Sequence, residues 1–202
     1  DFCESSVRFM IKSLILYVIL LFSVFANTVY AADPENIMVI EVEGEANGII
    51  EIQLLPNVAP LHVERIKILA RDGLYNDVVF HRVIDGFMAQ TGDVKFGKVE
   101  GYKRRYAGQG GSNYPDLDAE FSTLKYEKGT VGMARAQNPN SANSQFFIMF
   151  NSSPNLDGNY TVIGNVIKGQ DVVNSIKRGA MSDNGSVIDP DIMKKVWIKA
   201  DK

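Results

Sequence analysis

One short stretch, residues 80–93 (FHRVIDGFMAQTGD), holds an arginine, two large apolar side chains and a glutamine at close spacing: Arg82, Phe87, Met88 and Gln90. Together these types could form a shallow pocket that takes an apolar group and holds it beside a fixed cation. His81 has no nearby serine or cysteine to activate, so a triad hydrolase is not indicated. On a strand His81 points away from Arg82, which favours a buried, hydrogen-bonded structural histidine over a base. His62, near the start of a helical pattern with no second histidine or carboxylate constellation, reads as a surface residue. Residues 108–113 (GQGGSN) look like a phosphate cradle but lack its lysine and a strand-to-helix setting. They read as a loop whose glycines allow left-handed turns or close backbone approach.

The elements that must position these residues follow from local pattern. Residues 37–42 and 49–54 are β-rich runs on either side of an Asn47-Gly48 turn signal, which predicts an antiparallel hairpin. Pro60 fits the first turn of a helix, and Val63, Ile66, Ile68, Leu69 and Ala70 recur at roughly helical spacing until Gly73. Strands are predicted at 78–83 and 87–91 around Asp85-Gly86. Alternation puts Arg82 with Ile84 and Met88 with Gln90, and leaves open whether the turn returns Phe87 toward Arg82. Further strands are predicted at 129–134, 145–150, 161–166 and 196–200, and a second helix at 169–177. Phe146 and Phe147 must face opposite ways, so one can enter a core while the other lines a site. The long glycine-rich segment 92–115 is expected to border the pocket. Eight strands joined mostly by turns, with two helices, predict a mainly β fold: a closed eight-stranded antiparallel β-barrel capped by two α-helices.

The 202 residues carry a formal net charge of −3, which argues against a nucleic-acid partner even though Lys98, Lys103, Arg104 and Arg105 cluster locally. Cys3 is the single cysteine, so no disulfide framework or cysteine metal site is available within one chain. Arg8 and Lys12 precede an apolar run of 12 residues, 14–25, and Ala31 closes a cleavage-type sequence. The expectation is a signal peptide over residues 1–31, with Met10 a sensible initiator and 1–9 an upstream extension. A run of that length is short for a membrane span, so membrane contact is expected through this segment alone, before cleavage. An uncleaved anchor is the alternative.

Residues 80–93, residues 132–136 (GMARA) leading to 143–148 (NSQFFI), and residues 156–158 (LDG) resemble the cyclophilins, the peptidyl-prolyl cis/trans isomerases. The resemblance covers about residues 38–200 and implies an isomerase domain over 32–202 that needs neither cofactor nor metal. It implies Arg82 as the catalytic arginine and Gln90 as its support. A proline ring would sit among Phe87, Met88, Phe147 and Leu156, while Ala134, Arg135 and Gln145 would hold the residues before proline.

Three departures from the common pattern stand out. Asn155 precedes Leu156 where many members carry a tryptophan that helps bind cyclosporin, so weak drug binding is implied. Tyr160 replaces a frequent pocket histidine, as in bacterial members. Arg135 replaces a common asparagine and would favour acidic residues near the proline. The resemblance also implies proline-containing, exported polypeptides as substrates and a bacterial periplasm as the compartment; a monomer is the expectation. The alternative is a module that grips proline-containing segments as a chaperone or scaffold without turnover.

Overall fold

A computed structural model describes residues 32–202. The signal-peptide expectation therefore lies outside the described residues. Nine strands form one antiparallel sheet in the order β3-β9-β1-β2-β8-β6-β7-β5-β4. They are β1 (Ile37–Glu43), β2 (Gly48–Leu54), β3 (Val78–Val79), β4 (Arg82–Ile84), β5 (Met88–Thr91), β6 (Thr130–Met133), β7 (Phe146–Met149), β8 (Val162–Lys168) and β9 (Ile192–Ile198). The two helices are α1 (Pro60–Arg71) and α2 (Gln170–Ser175).

The expected mainly antiparallel β architecture with two helices is present, but the sheet has nine strands rather than eight and does not close. Its two ends, β3 and β4, are consecutive in the chain and separated by Phe80 and His81. The predicted strand 78–83 breaks there because Phe80 N–H donates to Asp191 O while Val83 N–H donates to Gly185 O. One half pairs with β9 and the other with β5. The sheet is thus strongly curled, with no ladder joining its edges.

The hairpin of β1 and β2 forms as expected, with Ile40 opposite Ile50. Met38, Ile40, Val42, Ile50, Ile52 and Leu54 alternate into the main core, as period 2 requires. Strand β9 starts at Ile192, earlier than predicted, since Lys194 and Lys195 mask its apolar alternation. Helix α1 buries Val63, Ile66, Leu69 and Ala70 against the same core.

His62 overturns its surface assignment. It is fully buried, and its Nδ1 lies 2.6 Å from Glu120 Oε2. Glu120 also accepts from the backbone N–H of Leu61 (3.1 Å) and His62 (3.0 Å). Ala59, the residue at the helix start, offers no side-chain cap. A carboxylate from a distant loop therefore takes the place of a local capping residue.

The sheet has two apolar faces. Along β7, Phe146 and Ile148 enter the main core, while Phe147 and Met149 join a second cluster with Met88, Tyr126, Leu156 and Val162. That second cluster underlies the site.

Candidate active site

Strands β4 and β5 pair with Arg82 opposite Gln90 and Ile84 opposite Met88. The Asp85-Gly86 turn, with Gly86 at φ +72°, closes on a hydrogen bond from Phe87 N–H to Ile84 O. It carries Phe87 to the side of Arg82, which alternation alone could not show. A cavity of about 190 Å³ has Arg82 and Gln90 as its polar side. Phe87, Met88, Phe147 and Leu156 form its apolar side, and Ala134, Arg135 and Tyr160 complete the lining. Gln145 lines an adjoining cavity of about 430 Å³ that shares Gln90, Ala134 and Arg135. All ten residues singled out from the sequence thus lie around two adjoining cavities.

Arg82 is held from two directions. Its Nη1 donates to Gln90 Oε1 at 3.1 Å. Its Nε donates to Asn184 O and its Nη2 to Asn184 Oδ1, each at 3.1 Å. A guanidinium has five N–H donors, so these three bonds leave two free. Burial lowers the Arg82 pKa from its ordinary value, opposed by the nearby Tyr160, but a guanidinium stays charged in proteins. Asn184 was not singled out from the sequence. Its signal was the Asn184-Gly185 turn, and its left-handed backbone (φ 50°, ψ 34°) presents carbonyl and side chain together.

Gln90 Nε2 donates to Gln145 Oε1 at 3.0 Å, and Gln145 Nε2 donates to Gly108 O at 3.0 Å and Gly110 O at 2.7 Å. The floor is equally constrained. Phe147 stacks on Tyr126 at 5.7 Å between centroids and meets Tyr160 edge-on at 5.9 Å. Gly132, opposite Phe147, leaves the space that the Tyr126 ring fills, since a Cβ there would collide with both rings. Tyr126 carried no recognisable signal in the sequence, and Gly132, although it opens the motif 132–136, gave no sign of this packing role.

Arg135 is less available than its position suggested. Its guanidinium donates to the carbonyls of Ala136, Gln137 and Asn159 and lies 4.4 Å from the Tyr160 ring centroid. His81 is buried, at 4% exposure, but neither ring nitrogen has a hydrogen-bond partner. This corrects the expectation of a hydrogen-bonded histidine. The Val79 carbonyl and Gln145 amide approach the ring without reaching hydrogen-bond geometry. Burial pushes its pKa down to about 4 against a smaller opposing pull from Asp93, so it is neutral near pH 7. Among the described residues no three His, Cys, Asp or Glu side chains gather into a metal-holding group.

The sequence profile of a family described as cyclophilin type peptidyl-prolyl cis-trans isomerase/CLD matches residues 37–198. The chain belongs to this family. A probable peptidyl-prolyl cis-trans isomerase of Brucella suis is 55% identical over 176 residues, covering 87% of this chain and 88% of that protein. A peptidyl-prolyl cis-trans isomerase of Acinetobacter baylyi is 37% identical over 150 residues, 71% of this chain and 75% of the relative. Among solved structures, a cyclophilin from Hirschia baltica superposes with a TM-score of 0.69 at 26% identity, covering 85% of this chain and 76% of that one. A Cryptosporidium parvum cyclophilin-type isomerase, crystallised in the presence of the dipeptide Ala-Pro, gives 0.67 at 28% identity, covering 80% and 98%. This cyclophilin is a peptidyl-prolyl cis-trans isomerase.

Proposed function

We propose that this cyclophilin accelerates X-Pro rotation by electrostatic assistance from Arg82, with the proline ring anchored among Phe87, Met88, Phe147 and Leu156. Rotation faces about 18–20 kcal/mol because the nitrogen lone pair is delocalised into the carbonyl. Twisting localises that lone pair on the proline nitrogen, and a guanidinium N–H can then donate to it. Such a bond exists only in the twisted state, which is transition-state binding.

The observation that carries this reading is a guanidinium fixed by Gln90 and Asn184 beside an apolar cavity, with two N–H donors left over. One charge-assisted bond contributes about 1.5–3 kcal/mol, whereas a rate gain of about 10⁵ needs about 7 kcal/mol. The remainder falls to the apolar wall, which excludes water and holds the ring while the acyl side turns. Ala134 and Gln145, with the aliphatic part of Arg135, would hold the residues before proline; Tyr160 would edge the ring.

The test is an isomerisation assay on a short proline peptide. Arg82→Ala should lower kcat by about 10–100-fold while changing peptide affinity little. Equal losses in both would make Arg82 a binding residue. Negligible turnover in the wild type would leave the gripping module, which has no need for a cation beside the proline nitrogen. Cyclosporin added to the same assay should inhibit weakly, because Asn155 stands beside the cavity residue Leu156; tight inhibition would refute this.

We further propose that the substrates are exported polypeptides in a bacterial periplasm and that the isomerase works as a monomer. The order of Arg8, Lys12, the apolar run 14–25 and Ala31 supports export. N-terminal sequencing of the chain recovered from periplasm should begin at Ala32; an uncleaved chain in the membrane fraction would show an anchor instead. Sedimentation of that recovered chain should give one protomer mass, and a dimer mass would overturn the monomer.

A further inference from the structure

We propose that Asp93 is a positioning residue for peptide recognition: its buried carboxylate fixes the backbone of Gly108 and Gly110, and that backbone holds Gln145 where the residues before proline lie. The inference rests on the assignment of Gln145 to those residues. Asp93 is fully buried. Its Oδ1 accepts from the N–H of Lys95 (3.1 Å) and Phe96 (2.8 Å). Its Oδ2 accepts from the N–H of Gly108 (2.7 Å) and Gly110 (3.0 Å). An ionised carboxylate offers about four lone-pair sites, so these four donors saturate it.

The glycine loop that looks like a phosphate cradle is therefore an anion cradle already filled, and its anion is the protein's own side chain. Gly110 is needed for this packing, because a Cβ there would collide with Asp93 Oδ1. The same two glycines face both ways. Their N–H groups bind Asp93, and their carbonyls accept from Gln145 Nε2. Gly108 lies in the wall between the 430 Å³ cavity and a second of about 550 Å³ that reaches Arg82. From Asp93 the hydrogen bonds run without interruption through that wall to Gln145, Gln90 and Arg82.

The effect of losing Asp93 is confined by what else holds each member. Arg82 keeps two bonds to Asn184, so the guanidinium stays in place. Gln145 Nε2 has both of its bonds on the Gly108 and Gly110 carbonyls, so its side chain is left with the single bond that its Oε1 accepts from Gln90 Nε2. Peptide recognition before proline should fail first, and rotation at the proline nitrogen last.

The test compares kcat/KM of the full chain on a blocked peptide with a single residue before proline and on one extended by two more. Asp93→Asn places an amide NH₂ among backbone donors. It should lower kcat/KM on the extended peptide about tenfold, chiefly through KM, and on the minimal peptide by no more than about twofold. In a Gln145→Ala background the same change should add almost nothing. Equal losses on both peptides, or full additivity with Gln145→Ala, would overturn the proposal. If Asp93→Asn does not fold, the wild-type amides of Gly108 and Gly110 decide the matter. Slow hydrogen exchange there supports the cradle, and exchange at the rate of an exposed loop overturns it. Gln145→Ala alone leaving the extended-to-minimal ratio unchanged would instead overturn the assignment of Gln145.

Discussion

Arg82 is oriented by a strand neighbour, Gln90, and by a loop residue, Asn184, that lies 102 positions away in sequence. Its free donors owe their direction to both. His81, next to it in the chain, has a different task. It sits under the glycine loop, where a Cβ at Gly108 would lie 3.1 Å from His81 Nε2, and its environment is set by burial, Asp93 and Arg82. Its folded-state pKa, about 4, lies below the ordinary 6.5. The unfolded chain therefore binds the proton first. The associated stability is complete above about pH 6.5 and is lost as pH falls toward about 4. Urea unfolding across that range should show wild type losing more stability than His81→Leu, by on the order of 3 kcal/mol at the acid end. Parallel pH profiles would mean that His81 does not titrate in this window.

Helix α1 shows how an element can depend on a residue far outside it. Pro60 and the apolar spacing start it correctly, but the two N–H groups of Leu61 and His62 find their acceptor in Glu120. Glu120 is itself anchored by its N–H to Thr161 Oγ1 at 3.0 Å, one residue from Tyr160 in the site. Glu120→Ala would strand both helix donors and the buried His62 ring, and should cost about 2 kcal/mol in urea unfolding. Glu120→Gln, which keeps an acceptor oxygen, should cost less. Equal, negligible losses would mean that water caps the helix as well as Glu120 does. The hairpin of β4 and β5 is more local. Its register follows from the Gly86 turn, and register alone puts Arg82 across from Gln90.

Across the whole molecule, the ends of the domain are drawn together by Arg71. It donates to Glu35 beside β1 and to Asp201 after β9. These partners are substantially exposed, at 44% and 40% of their side-chain surface, so screening should matter. Arg71→Ala should lower the melting temperature slightly in dilute buffer, and the difference should shrink in molar salt; a salt-independent loss would point to packing by its aliphatic stem. The curl of the sheet has the larger consequence, for it gives the strands two buried faces. The sequence by itself determined the β1–β2 hairpin, α1, the opposed faces of Phe146 and Phe147, and the motifs that carry the family resemblance. All of these rest on local period, turn chemistry or contiguous residues. Tertiary structure decided the split at Phe80-His81, the early start of β9, the burial of His62, the hold of Asn184 on Arg82 and the cradle around Asp93. Each of these joins backbone or side-chain groups that periodicity does not relate, and a buried polar group finds its partner only when the folded chain brings one within reach.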